Sequence, residues 1–364
     1  MADALKDRID AALVEDLADR LAAADPAFDR PGFTAAVLAD LDDLELKARV
    51  DRVADGIVAA LGGDHPAALD AALAVAGSGV EGFAAWPLCS VVERHGLVDP
   101  DRSLAAMPVL TRRWSCEFAI RPFLDAEPDL TLDHLRRWVA DDDELVRRLV
   151  SEGTRPRLPW APRVQLLLDD PAIGIDLLTE LRHDPSETVR RSVANHLNDV
   201  ARAHPDLVVD TLSGWAADPE VDPRLVRHAL RNLVKDGHPG ALEILGVTTD
   251  PSVEVDAFVV TPDEIRLGDH IELTAHLTST AGAGQRLVVD FVIHHIGADG
   301  TSRPKVFKWT TVDLPAGESV ELRKRRRIQT ASTRRYHAGY HRVGLQVAGA
   351  EAASGGFDLL ESST

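Results

Sequence analysis

Through about residue 245, apolar residues recur at intervals of three and four, the period of helices with one buried face. The breaks between them carry Pro, Gly or Asp-Pro, as at Ala24-Asp25-Pro26, Gly62-Gly63-Asp64-His65-Pro66 and Glu127-Pro128-Asp129. The stretch 77–96 (GSGVEGFAAWPLCSVVERHG) is less regular and reads as an ordered insertion between helices. After Leu245 the period changes. Segments 253–260, 270–277, 286–294, 305–312 and 319–328 favour Val, Ile, Thr and Phe, with turn signals such as Gly282-Ala283-Gly284 and Pro315-Ala316-Gly317 between them. About seven short strands in roughly 110 residues fit an immunoglobulin-like β-sandwich, with a tail from Ser354 expected to fray in part.

The helical part repeats itself. DDELVRRLVSEGTR (142–155), DPSETVRRSVANHLN (184–198) and DPEVDPRLVRHALRNLVK (218–235) each pass from an acidic turn through Val-Arg into an apolar periodic helix. The Val-Arg steps start at 146, 189 and 226, spacings of 43 and 37. That period belongs to HEAT-type helical repeats, which bury their faces only by stacking. The expected architecture is a HEAT-like α-helical solenoid over 1–247 followed by the sandwich over 248–364.

In the second repeat, Val189, Val193, Leu197 and Val200 form the buried stripe. Arg191, Asn195, Asn198 and Asp199 fall on the polar side, beside Arg190. Arg148, Ser151, Glu152 and Arg155 do the same one repeat earlier, and Arg227, Arg231 and Lys235 one repeat later. Stacking lines these stripes into a concave wall suited to a polyanion. Asn195, Asn198 and Asp199 also suit a bracing role against the next repeat. A carboxylate among phosphate-binding arginines opposes anion binding, so Asp199 points to a cation stabilised there.

The composition first argues against such a groove. Lys plus Arg is 40 against Asp plus Glu 59, a net charge of -19 with a pI of 5.1, and phosphate backbones repel acidic proteins. The acid is unevenly spread, however. Residues 1–111 carry a net -11, 112–250 a net -7 and 251–364 a net -1. Two cysteines with no CxxC pair make neither a disulfide scaffold nor a zinc site. With no long apolar run and a charged start, the chain is expected to be soluble and cytoplasmic.

Three segments carry candidate chemistry. In 114–123 (WSCEFAIRPF), a helix ended by Pro122 sets Trp114, Glu117 and Arg121 within roughly 60° of one another. An ordinary Glu–Arg surface pair beside a half-buried Trp is the plainer alternative. In 151–162 (SEGTRPRLPWAP), Arg155, Arg157 and Trp160 fall in a proline-rich turn, which displays the Trp for stacking on a base or sugar or tucks it between repeats. The run Arg323-Lys324-Arg325-Arg326-Arg327, followed by Arg334-Arg335, is the strongest basic cluster. On a strand, Arg323, Arg325 and Arg327 share one face, which implies an edge strand or a protruding hairpin that blocks aggregation or meets phosphate. The sequence has no GxSxG, P-loop or GxGxxG, and no histidine spacing for a metal.

The strings EFAIRPF (117–123), LRRWVADDDELVRRLVSEGTRPRLPWAPR (135–163), DPSETVRRSVANHLNDVARAHPDLV (184–208) and LVRHALRNLVK (225–235) resemble the AlkC branch of the HEAT-like DNA alkylation-repair glycosylases. The opening LKDRIDAALVEDLADRLAAADPAFD (5–29) and LDDLELKARV (41–50) are similar to it as well. Some members of that branch carry a C-terminal Ig-like domain. The resemblance implies hydrolysis of the N-glycosidic bond of cationic N-methylated bases, chiefly N3-methyladenine and N3-methylcytosine, in double-stranded DNA without extruding the base. It implies Glu117, Trp160 and Asp199 at the lesion's deoxyribose, no metal or organic cofactor, and a monomer with no obligate protein partner and no membrane. Arg121, Arg148, Arg155, Arg157, Arg190, Arg191, Asn195, Arg227, Arg231 and Lys235 are then expected to line the DNA groove, with Arg323, Arg325 and Arg327 on phosphates. The alternative is a non-catalytic HEAT-repeat scaffold that binds an acidic peptide or RNA.

Overall fold

The computed structural model describes residues 5–297, 300–329 and 336–361. Sixteen α-helices among the described residues precede eight β-strands. The Asp-Pro breaks have a local cause. The side chains of Asp64, Asp99 and Asp170 accept backbone N–H bonds at helix N-termini, and a proline follows in each first turn, where its missing N–H costs nothing. The stretch 77–96 is not an insertion. Trp86–His95 is a helix that buries Trp86, Leu88, Cys89, Val91 and Val92 and packs on Leu46–Ala60.

The three Val-Arg segments stack in series. Helix Glu187–Val200 packs against Glu144–Gly153 on one side and Pro223–Ala229 on the other. Val146, Val189 and Val226 are all buried. In the first two repeats the arginine after the valine ties one repeat to the turn of the next. Arg147 reaches Asp184 at 2.6 and 3.1 Å while holding the Asp141 and Asp142 carbonyls. Arg190 holds the Asp184 and Pro185 carbonyls and lies 3.4 Å from Asp222. The repeating signature is therefore an inter-repeat staple, and Arg190 is a structural residue rather than a free phosphate ligand. In the third repeat the expected long helix is broken: Pro223–Ala229 ends before Leu230, and Arg231–Lys235 is a separate short helix.

The chain forms two compact units. One comprises the residues up to Ala203 together with Pro219–Ala229; the other comprises His204–Asp218 and everything from Leu230 on. The change of pattern at 247 is thus not where the units part: helices Pro205–Ala216, Arg231–Lys235 and Pro239–Ile244 group with the strands. A backbone contact accounts for part of this. A Cβ on Gly349 would meet the Gly237 Cα at 2.3 Å, and both glycines have positive φ, 83° and 72°, a conformation that side chains disfavour.

In the second unit, β1 (Val253–Thr261), β3 (His270–Ser279) and β6 (Ser319–Arg327) form one sheet in the order β1-β3-β6. The other sheet, β2-β8-β7-β4-β5, contains β2 (Glu264–Ile265), β4 (Gln285–Ile296), β5 (Ser302–Leu314), β7 (Gly339–Val347) and β8 (Ala350–Leu359). Ile271, Leu273, Ala275 and Leu277 on β3 alternate into a core completed by Leu287, Val289, Phe291 and Ile293 on β4. The segment expected to fray is instead ordered through Leu359, because β8 pairs antiparallel with β7. Arg334, Arg335 and the turn residues Ala298 and Asp299 lie outside the described residues.

The staple sets an expectation for stability. Arg147→Met leaves the buried Asp184 carboxylate without its guanidinium and lowers the unfolding free energy by about 3 kcal/mol. Arg191→Met, which removes only an exposed pair with Glu187, changes it by less than about 1 kcal/mol. Urea unfolding followed by circular dichroism measures both, and equal small losses would remove the staple's role.

Candidate active site

Residues 112–120 are turns rather than a helix, and Pro122 opens the helix Arg121–Ala126 instead of ending one. Trp114 and Glu117 therefore owe their proximity to packing. Trp114 stacks on Trp86 with centroids 5.2 Å apart and meets Phe83 at 5.0 Å, while Phe118 stacks on Trp86 at 6.0 Å. The turn also lies close against the helix Glu144–Gly153. A Cβ on Gly153 would meet Ile120 Cγ2 at 2.6 Å, so the absent side chain lets the two segments approach.

That approach assembles a ladder of alternating charges. Arg148 Nη2 lies 3.2 Å from a Glu117 carboxylate oxygen and 3.7 Å from Glu152. Arg155 Nη1 donates to Glu152 at 2.6 Å, and its Nε donates to Asp199 at 2.8 Å. Ser115 donates to Glu117 at 2.9 Å, and Ser192 donates to Glu152. Three carboxylates thus alternate with two guanidiniums, and the Arg121 guanidinium also lies close enough to act on Glu117 and Asp199. Burial works against the Glu152 charge but is outweighed by Arg148, the Ser192 hydroxyl and Arg155, which hold its carboxyl below the usual range. His196, fully buried beside the Ser151 carbonyl, adds no positive charge near neutral pH, because burial pushes its imidazole down to about 4.

The ladder borders a cleft of about 280 Å³ lined by Phe83, Trp86, Trp114, Phe118, Glu117, Glu152, Arg155, Leu158, Pro159 and Trp160, with Leu5 and Leu46. Trp160 is 81% exposed and has φ of 66°, a strained conformation for a bulky side chain. Its loop is held by Arg121. That guanidinium is 2% exposed and donates to the Pro162, Gly153 and Arg155 carbonyls. Burial pushes it down to about 10. Arg121 was expected to touch DNA; with its donors turned onto main-chain carbonyls it is instead the clamp of the Trp160 loop.

This architecture matches known proteins over its full length. A family model described as "Uncharacterised protein YhaZ, C-terminal Ig-like domain" matches residues 254–361. The uncharacterized protein YhaZ of Bacillus subtilis (strain 168) is 29% identical over 350 residues, covering 96% of this chain and 97% of that protein. The structure of Pseudomonas fluorescens alkylpurine DNA glycosylase AlkC, bound to DNA containing an abasic site analog, superposes with a TM-score of 0.91 at 38% identity. The match covers 98% of this chain and 100% of that one. The chain belongs to the AlkC family.

In this AlkC-family chain, Glu117 and Trp160 line one cleft, with Arg148 and Arg155 in the ladder and Asp199 buried behind Arg155. Arg157 is half-buried in the same loop. Asn195 lies 2.9 Å from the His228 imidazole, a bracing contact between repeats, and Arg191 and Arg227 are exposed. Arg231 and Lys235 are half-buried and sit in the other compact unit from Arg227. In the Ig-like domain β6 is an edge strand, and Arg323, Arg325 and Arg327 share its exposed face. Arg326 turns inward over the Phe307 ring at 4.3 Å. Sequence reasoning passed over Glu152 as a site residue, although it sits four residues after Arg148 and three before Arg155. It also missed the aromatic floor, whose members come from separate segments.

Two outcomes follow from this geometry. Arg121→Met frees the Trp160 loop, so trypsin cleaves after Arg157 faster than in the wild type, as mass spectrometry of the fragments shows; an unchanged rate would remove the clamp. The unfolded His196 imidazole takes its proton near pH 6.5, but the folded one resists until about 4. The unfolded chain therefore binds more protons in that window, and stability is lost as pH falls through it, by about 3 kcal/mol at most. In His196→Asn, unfolding curves at pH 7, 5.5 and 4 show a correspondingly flatter dependence.

Proposed function

We propose that this chain is a DNA glycosylase for alkylated bases, and that its substrates are cationic N-methylated bases such as N3-methyladenine and N3-methylcytosine in double-stranded DNA. The carrying observation is the ladder: three carboxylates against two guanidiniums, beside a displayed Trp. The AlkC structure named above, with its DNA, supports the same reading.

The chemistry suits such a cleft. An N-methylated base already carries positive charge and leaves as a neutral molecule, so its departure needs no proton from the protein. What develops in the transition state is an oxocarbenium ion on the deoxyribose. Glu117 stabilises that charge and orients the attacking water, the Trp160 face adds a cation–π contribution, and Asp199 supports the arrangement through Arg155. Hydrolysis joins the water oxygen to the sugar carbon as the glycosidic bond breaks; the bonding electrons leave with the neutral base, the water's proton passes to solvent, and no step requires the base to leave the helix. Exposed Arg191 and Arg227, and Arg323, Arg325 and Arg327 on β6, serve the phosphates. The chain works as a monomer.

Single-turnover release of methylated base from a duplex tests this. Glu117→Gln and Asp199→Asn each lower the rate roughly 10²–10³-fold while duplex affinity stays near that of the wild type. Affinity itself falls with log salt with a slope of about -0.9 per phosphate contacted. A wild-type protein that binds alkylated duplex and releases no base is a scaffold, and the reading fails.

A further inference from the structure

Glu117 carries a cation before any substrate arrives. One carboxylate oxygen, Oε2, meets both Arg148 at 3.2 Å and the Ser115 hydroxyl at 2.9 Å. Its Oε1 has no hydrogen-bond partner among the described residues. A guanidinium at that distance opposes a second positive charge growing beside the same carboxylate. In the ion-paired state Glu117 is therefore a weakened stabiliser of an oxocarbenium ion.

The two ladder arginines are not equally free to move. Arg155 is caught between Glu152 and Asp199, with its side chain 11% exposed. Arg148 stands at the outer end, 25% exposed, and every bond it makes is to a side chain: Ser115, Glu117 and Glu152. When it moves, Glu152 still has Arg155 and Ser192. A guanidinium that leaves a carboxylate for a phosphate exchanges one charge-assisted bond for another of similar strength.

We propose that Arg148 is a positioning residue that masks Glu117 in the free protein and transfers to a backbone phosphate beside the lesion when alkylated DNA binds. The backbone thereby unmasks the carboxylate, and Glu117 reaches full strength only on engaged DNA. This rests on the glycosylase reading.

Neutralising the phosphate on the DNA separates masking from ordinary binding. Duplexes carrying one N3-methylcytosine are made with a single methylphosphonate at each flanking phosphate in turn, and base release is timed at saturating protein. At one position the wild-type rate falls roughly 10- to 100-fold, because Arg148 has no anion to move to. There Arg148→Met, which has no mask, is faster than the wild type, whereas on the ordinary backbone it is slower. Arg148→Lys keeps the wild-type order. A merely structural arginine predicts Arg148→Met slower by one factor on every backbone, and that result overturns the proposal. So does a wild-type rate indifferent to all flanking methylphosphonates, a measurement that needs no variant to fold. No release even from the ordinary backbone overturns the glycosylase reading itself, and this one with it.

Discussion

Everything at the cleft depends on keeping three carboxylates charged where water is scarce. A carboxylate taken out of water loses several kcal/mol of hydration unless a cation and hydrogen bonds replace it. Here the replacement is Arg148 and Arg155, seven residues apart along one stretch of chain, with Glu152 between them. Neither Glu117 nor Asp199 belongs to that stretch; one comes from the turn at 112–120 and the other from the next repeat. The ladder closes only if the repeats stack in one register, which the Arg147–Asp184 staple and the small Gly153 secure. Buried ion pairs of this kind are seldom more stabilising than apolar residues of the same volume. Their persistence here is explained by the charge they hold in place.

The net charge of -19 is compatible with a polyanion partner once its sources are separated. In the N-terminal part, Asp10, Asp29, Asp64 and Asp99 are helix caps, each accepting a backbone N–H. Others there pair with local arginines, as Asp55 does with Arg94. Their charge is the by-product of opening many short helices with an aspartate cap. The cleft's own carboxylates have a different origin, and Glu117 faces a cation rather than a phosphate in the proposed reaction.

Much of the fold was legible. Period-three-and-four spacing and the Val-Arg repeat carry the stacked helices, and alternation carries the edge position of β6. The prolines around Trp160 marked its loop but left display and burial between repeats both open. What escaped the pattern has a common cause: spacing reports which face a residue is on, not what meets it there. Arg121 and Arg190 sit on polar stripes like any surface arginine, yet turn their donors onto backbone carbonyls. The helix drawn through Trp114 and Glu117 is a turn because Trp114 packs on Trp86, a contact between distant segments. The break at Leu230 carries neither Gly nor Pro to announce it.

Those carbonyl-bound arginines also explain which charge in the site is free to move. Arg121, Arg147 and Arg190 each satisfy backbone oxygens that are buried or part-buried. Removing any of them from its place would leave a polar group of the fold itself unpaired, at a cost on the order of 1–3 kcal/mol per group. Arg148 has no such obligation. Its acceptors are a hydroxyl and two carboxylates, and the carboxylates gain rather than lose reactivity when it departs. The same side chain thus acts as a rivet where it meets main chain and as an exchangeable counter-ion where it meets only side chains. An anionic backbone arriving at the cleft can compete for the second kind and not for the first.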